Sequence, residues 1–207
     1  MLNISSFTGG IAQTNGYLVR AEDGAALVVD APSGMADWLE RQGVKVGGLL
    51  LTHQHFDHVE DAARIKAGHG CRLHAFAPYS RDLTLEVMFG IATGTVMSVQ
   101  PFEVDEVLEG RESVAVAGMA WKLAHIPGHS PDSVIFVSQE ERLVFGGDVL
   151  FEDGIGRCDF PGGSMELLLE GIQSKLMPLG DDFALYPGHG PSTTLGRERQ
   201  YNPYLDE

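Results

Sequence analysis

The sequence predicts an α/β fold, an αββα sandwich in which two mixed β-sheets pack face to face with helices on their outer faces. Short apolar strands fall into two clusters, separated by a stretch with no clear periodicity. Each cluster is accompanied by amphipathic helical segments, and a strand cluster with its own helices is the unit from which layered folds are built. In the second cluster four strands follow one another at close spacing, as in an antiparallel sheet.

Asn15 to Arg20 reads as a strand, and Ala25 to Asp30 as a buried strand returning after the Asp23-Gly24 turn. Met35 to Gln42 has the pattern of a short amphipathic helix stopped by Gly43. Val46 to Thr52, with the run Leu49-Leu50-Leu51, is a second buried strand that ends at His53. Asp57 to about Ala67 is helical with Gly68 as its stop, and Cys71 to Phe76 is a strand, giving the order ββαβαβ. Leu83 to Glu109 mixes turn residues with short apolar runs and receives no assignment beyond loops that shape a substrate entrance. Val114 to Ala117, Trp121 to Ile126, Ser133 to Ser138 and Arg142 to Gly146 are the closely spaced strands. Met165 to Leu176 is a helix, Phe183 to Tyr186 a strand and Thr193 to Gln200 a final helix.

A chain of 207 residues buries enough core for one substantial domain, and residues 1–207 read as one. Hydrophobic residues at 43% and charged residues at 21% are ordinary soluble values, with no apolar run of about 18 residues to span a membrane. The N-terminus, Met-Leu-Asn-Ile-Ser-Ser-Phe, lacks the basic and long apolar regions of a secretory signal, so a cytoplasmic location is expected. Cys71 and Cys158 are too few and too far apart for a disulfide framework and read as reduced thiols. A net charge of −15 repels nucleic acids and anionic membranes, while bound divalent cations would locally reverse that sign for a small anionic substrate.

Thr52-His53-Gln54-His55-Phe56-Asp57-His58 gathers three imidazoles and a carboxylate at the end of a buried strand, a density that packing does not explain. Two His at i and i+2 leaving a strand point the same way, and Asp57 and His58 open the next helix, so one turn offers four ligands. Three more candidates follow strands and sit beside glycines: Pro127-Gly128-His129, Gly146-Gly147-Asp148 and Pro187-Gly188-His189-Gly190. Glycine allows a sharp turn and close approach of a metal or substrate, which a structural histidine does not need. Asp30 and Thr52 are placed to orient ligand imidazoles by hydrogen bonds. His69, His74 and His125 lack the glycine-turn context and read as structural. Such imidazole and carboxylate ligands suit zinc, iron and manganese, with zinc preferred.

These residues resemble the metallo-β-lactamase superfamily, whose motif His-x-His-x-Asp-His is matched in full by residues 53–58 and whose remaining ligand positions are matched in order by His129, Asp148 and His189. The resemblance implies two metal ions, one held by His53, His55 and His129, the other by Asp57, His58 and His189, with Asp148 bridging them. It implies hydrolysis by a metal-bridging hydroxide, with Asp148 and Asp57 as catalytic residues. Asp57 is also suited to carry a proton to the leaving group, because a carboxylate beside two metals can collect the proton lost from water.

Within the superfamily the chain is most similar to the short bacterial glyoxalase II-like hydrolases. Gly154 to Gly163, Tyr186 to Pro191 and Thr193 to Pro203 carry that likeness. It implies a thioester or ester substrate, S-lactoylglutathione or a related acyl thioester, without the C-terminal helical domain of the long enzymes. Arg157 is a candidate for binding a substrate carboxylate, against the alternative of a salt bridge to Asp153 or Asp159. Dinuclear zinc β-lactamases place Cys where this chain has Asp148, which disfavours antibiotic hydrolysis. Flavodiiron proteins carry Glu at the position of His55, and nucleic-acid-processing members add a domain that 207 residues cannot include. Two alternatives share the fold: a mononuclear iron persulfide dioxygenase using His53, His129 and Asp148, against which Gly188 and Gly190 argue, and a lactonase-type hydrolase. A binding module without turnover is opposed by retention of every ligand.

Overall fold

In the computed structural model, which describes residues 1–205, strands form two six-stranded mixed sheets and a two-stranded ribbon. The chain divides into two units, Met1–Glu109 with Val116–Met119 and Gly110–Ala115 with Ala120–Glu207.

The first unit opens with β1 (Asn3–Gly9), β2 (Thr14–Arg20) and β3 (Ala26–Val29), an antiparallel meander. Strand β1 is an addition to the sequence reading: its alternation is polar, Ser5 and Ser6 standing between Ile4 and Phe7, as befits an edge strand. Helix α1 (Met35–Gln42) occupies the expected span and ends at Gly43. Strands β4 (Gly48–Leu50) and β5 (Arg72–Ala75) then add in parallel, and β6 (Glu106–Val107) closes the order β1-β2-β3-β4-β5-β6.

The helix expected from Asp57 to Ala67 is two helices, α2 (Phe56–Val59) and α3 (Ala62–His69). Tertiary bonds break it: Asp61 N–H donates to Ala31 O, and Asp61 Oδ2 accepts from Ala36 N. Gly68 lies inside α3, and Gly70, with φ 62°, is the stop. The unassigned middle folds as α4 (Arg81–Thr84) and α5 (Glu86–Thr93), held by Glu86, whose buried carboxylate bonds Arg81 and Val99 N. The core of this unit centres on Leu18, Val28, Leu49, Leu51 and Leu73, all fully buried, each such side chain stabilising the fold by about 1.5–3 kcal/mol.

The second unit carries the sheet ordered β14-β13-β10-β9-β8-β7. Its strands are β7 (Ser113–Val116), β8 (Met119–His125), β9 (Val134–Ser138), β10 (Leu143–Gly147), β13 (Ala184–Pro187) and β14 (Thr193–Thr194). Strands β8, β9 and β10 are antiparallel, as expected, and β13 runs parallel to β10. Between them lie the ribbon β11 (Leu150–Phe151) and β12 (Gly154–Ile155), then α6 (Met165–Gly171), which continues through a π turn and a 3₁₀ turn to Leu179. The final helix α7 (Leu195–Tyr201) starts two residues later than expected because Thr193 and Thr194 pair with β13 first. Thr194 then caps α7, its Oγ1 accepting from Arg197 N. Among the described residues no helix is long and apolar enough to cross a membrane.

Candidate metal centre

In the first unit, β4 delivers the chain to His53, Gln54 and His55, and His55 is the N-cap of α2, so Asp57 and His58 lie in the first helical turn. His53, His55, Asp57 and His58 are all buried. The His53 ring centroid is 4.5 Å from that of His55 and 4.1 Å from that of His58, so the alternation of the strand end and the turn of the helix do bring the three imidazoles together. His58 Nε2 lies 3.7 Å from Asp57 Oδ2.

The far sides of these rings are tethered by one carboxylate. Asp30 accepts from Thr52 N on Oδ1 (2.8 Å), and from Thr52 Oγ1 (2.8 Å) and His58 Nδ1 (2.9 Å) on Oδ2. Because Thr52 spends its hydroxyl proton on Asp30, its oxygen accepts at 3.2 Å from His53 Nδ1. Both imidazoles therefore carry their proton on Nδ1 and direct the Nε2 lone pair away from Asp30, as metal-binding histidines do. Asp30 sits at φ 58°, a left-handed conformation that Asp and Asn tolerate better than other side chains. The expected role of Asp30 and Thr52 in orienting imidazoles is thus visible in the geometry.

Two contributors escaped the sequence reading. Thr14, buried at the start of β2, donates to Asp57 Oδ2 at 2.5 Å. Gln54 turns opposite to its two histidine neighbours, donates to Ala77 O and Pro78 O and accepts from Ser80 N, pinning the loop after β5 to the motif. Period-two alternation at the strand end signals that Gln54 faces away from the histidines; nothing local signals Thr14.

In the second unit, Asp148 and His189 follow the parallel strands β10 and β13, whose register aligns Gly147 with Pro187, so the two side chains emerge side by side. Asp148 Oδ2 is 3.3 Å from His189 Nε2 and 3.3 Å from His129 Nε2. His129 follows Gly128, whose φ of 131° and closeness to Ser164 O and Leu168 leave no space for a Cβ. His129 Nδ1 donates to Arg157 O at 2.8 Å. A neutral His129 therefore turns an Nε2 lone pair toward a carboxylate oxygen, an arrangement that a cation between them resolves.

Arg157 contributes its backbone carbonyl to this cluster. Its guanidinium forms a bidentate pair with Asp159 (2.9 and 2.8 Å) and lies over the Phe160 ring, 4.5 Å from the centroid. The Asp159 carboxyl is held below the usual aspartate range by its bond from Arg157. Of the other histidines, His125 Nε2 bonds Pro131 O, His69 Nδ1 accepts from Val46 N, and His74 lies 3.4 Å from Glu106.

Each unit thus presents a buried or half-buried His and Asp cluster at the ends of sheet strands, the mark of a metalloprotein built on mixed sheets flanked by helices. The chain belongs to the metallo-β-lactamase superfamily, whose pattern it matches over residues 9–189. It is 34% identical over 211 residues to the hydroxyacylglutathione hydrolase GloC of Haemophilus influenzae, covering 99% of each chain. Among solved structures it is 31% identical to BLEG-1, described as a B3 metallo-β-lactamase, with a TM-score of 0.88 over 99% of this chain and 100% of that one. It is 32% identical to TTHA1623, solved in a di-iron-bound form, with a TM-score of 0.82 over 97% of this chain and 100% of that one. The fold class read from the sequence is that of the family, and the chain is a metal-dependent hydrolase whose donors suit divalent ions.

Proposed function

We propose that the chain hydrolyses a small acyl thioester or ester, of the S-lactoylglutathione type, with two divalent metal ions. His53, His55 and His129 would hold one ion and Asp57, His58 and His189 the other, and Asp148 would complete the donor set. This requires both units to act as one domain, since four ligands belong to the first and three to the second. The observation that carries the reading is the tautomer control on His53, His58 and His129, each committed through Nδ1 to an acceptor behind the ring. Histidines buried only for packing do not need a common tautomer. The whole-length similarity to a hydroxyacylglutathione hydrolase supports a thioester substrate.

Bound divalent ions would supply hydroxide at neutral pH and polarise the substrate carbonyl. The protein groups do the rest. Asp57, fixed at Oδ2 by the Thr14 hydroxyl, would take the proton released from water and return it to the departing thiolate, which leaves as the thiol. Arg157, whose side chain is 65% exposed, would exchange Asp159 for a carboxylate of the substrate. Zinc, iron and manganese all fit these donors, with zinc favoured and the iron of TTHA1623 a reason to test both.

The test is thiol release from S-lactoylglutathione by metal-loaded protein beside an Asp148→Ala control. Turnover that vanishes in the control supports the reading; full activity in the control defeats the dinuclear form. The similarity to BLEG-1 gives β-lactam hydrolysis a specific claim as a second reading, despite Asp148. Nitrocefin turnover without thioester turnover would select it, and oxygen uptake by iron-loaded protein with glutathione persulfide would select the dioxygenase.

A further inference from the structure

The ribbon formed by β11 and β12 connects the ligands of the second unit. Asp148 lies two residues before it, Arg157 O, which accepts from His129, lies two residues after it, and its own Phe151 meets the His189 ring edge-on at a centroid distance of 6.0 Å. The ribbon cannot hold this geometry alone. It has two residues per strand, and its turn residue Asp153 sits at φ 58°. Isolated ribbons of this size are not stable in water.

Helix α7 supplies what the ribbon lacks. Asn202 Nδ2 is 3.2 Å from Phe151 O and 3.1 Å from Gly154 O, spanning the last paired position of the ribbon. Glu198 Oε2 accepts from Asp153 N at 2.8 Å, and Arg197 grips the Asp153 carboxylate through both of its Nη atoms. Glu198 and Asn202 have no exposed surface and are bonded to each other at 3.0 Å, while Thr193 Oγ1 and Arg197 Nη1 complete the shell around Glu198 Oε1. Burial alone would raise the Glu198 carboxyl, but the bonds from Thr193, Asp153, Arg197 and Asn202 outweigh it and hold the group below its ordinary value. A buried carboxylate and a buried amide are costly unless satisfied, and here the ribbon supplies Asp153 N to the first and Phe151 O and Gly154 O to the second.

We propose that Arg197, Glu198 and Asn202 are positioning residues for the metal ligands of the second unit, acting through the ribbon Leu150–Ile155. The inference rests on the reading of His129, Asp148 and His189 as ligands. It gives the Thr193 to Pro203 stretch a task, which is to fix the segment between Asp148 and the carbonyl that orients His129.

The same helix offers a matched control. Arg199 donates to Asp181 and to Met177 O, tying α7 to the turn after α6 without touching the ribbon. Arg197→Met, Glu198→Gln, Asn202→Ala and Arg199→Ala would be compared with wild type and His189→Ala for bound metal per chain at buffered free zinc, thermal midpoint, KM and kcat. Arg197→Met changes a partly exposed side chain and keeps the test open if the buried variants do not fold. The three ribbon-facing variants are expected to weaken metal binding about tenfold and to lower kcat more than they change KM, at midpoints where Arg199→Ala keeps both. Wild-type metal affinity in folded Arg197→Met and its companions, or an equal loss in Arg199→Ala, would overturn the positioning role while leaving the ligands standing. His189→Ala that binds as much metal as wild type would overturn the ligand reading itself, and the inference with it.

Discussion

Replacing Asp30 by Asn tests whether the tautomers of two histidines are set from behind. Asn has the same shape and tolerates the left-handed backbone at this position, so the change is electronic rather than steric. One amide oxygen can still accept from Thr52 N. The amide nitrogen then faces Thr52 Oγ1 and His58 Nδ1, where the carboxylate accepted both bonds. His58 must now accept at Nδ1 and move its proton to Nε2. Thr52 accepts from the amide and turns its own proton toward His53, inverting that ring as well. Both Nε2 lone pairs are lost to metal. Substitution of such an outer partner costs about 10–100-fold in metal affinity, equivalent to about 1.4–2.7 kcal/mol. Exchange of two charge-assisted bonds for neutral ones at a fully buried group lowers stability by about 2 kcal/mol. Titration with zinc against a competing chelator reads the first effect and denaturant unfolding of the metal-free protein the second. Wild-type zinc affinity in a folded Asp30→Asn protein would refute the reasoning, because it would show that the rings choose their tautomer without Asp30.

Other perturbations separate the site from its supports. In Gly156→Ala the new Cβ would overlap Asp148 O and come within 3.0 Å of His129 Cβ, so two ligands are displaced and both thermal midpoint and metal content should fall, measurable by calorimetry and metal analysis. Gln54→Leu leaves Ala77 O, Pro78 O and Ser80 N without their side-chain partner; a loss of about 2–4 kcal/mol in denaturant unfolding is expected while metal stoichiometry is kept. Glu198 is held below the ordinary glutamate value of 4.5, so the stability it contributes is complete above pH 4.5 and lost as pH falls through its lower folded value. The stability difference between wild type and Glu198→Gln should therefore shrink as pH falls below 4.5 in urea unfolding, and a difference that grows on acidification would contradict that direction.

The candidate ligand set was legible because its chemistry is local. Four candidates lie within six residues, and the other three each follow a strand and stand next to glycine, so the periodicity that locates strands also locates the candidates. What was not legible depends on partners distant in sequence. The helix after the motif breaks because Asp61 bonds Ala31 and Ala36, and Thr14 meets Asp57 across 43 residues. Helix α5 gave no amphipathic signal since its apolar residues face both ways, Phe89 against Phe56 while Val87 and Ile91 are exposed. Helix propensity at Thr193 was overridden by two pairings with β13.

The division of labour between the two units follows from where each ligand's acceptor comes from. In the first unit the tethers are side chains: Asp30 just after β3, Thr52 just after β4 and Thr14 on β2, so each can be altered by substitution. In the second unit the tether of His129 is a backbone carbonyl, and no substitution at Arg157 can remove it. Its position can only be altered by moving the segment that bears it, which is why control of that cluster passes to the residues holding the ribbon. Side-chain tethers tune a ligand's proton, whereas a carbonyl tether makes ligand geometry depend on the fold of its loop. Substitutions behind His53 and His58 should thus lower metal affinity through the proton on the ring, in addition to whatever stability the lost bonds carry, and substitutions behind His129 should lose affinity in proportion to how far the Leu150–Ile155 ribbon shifts.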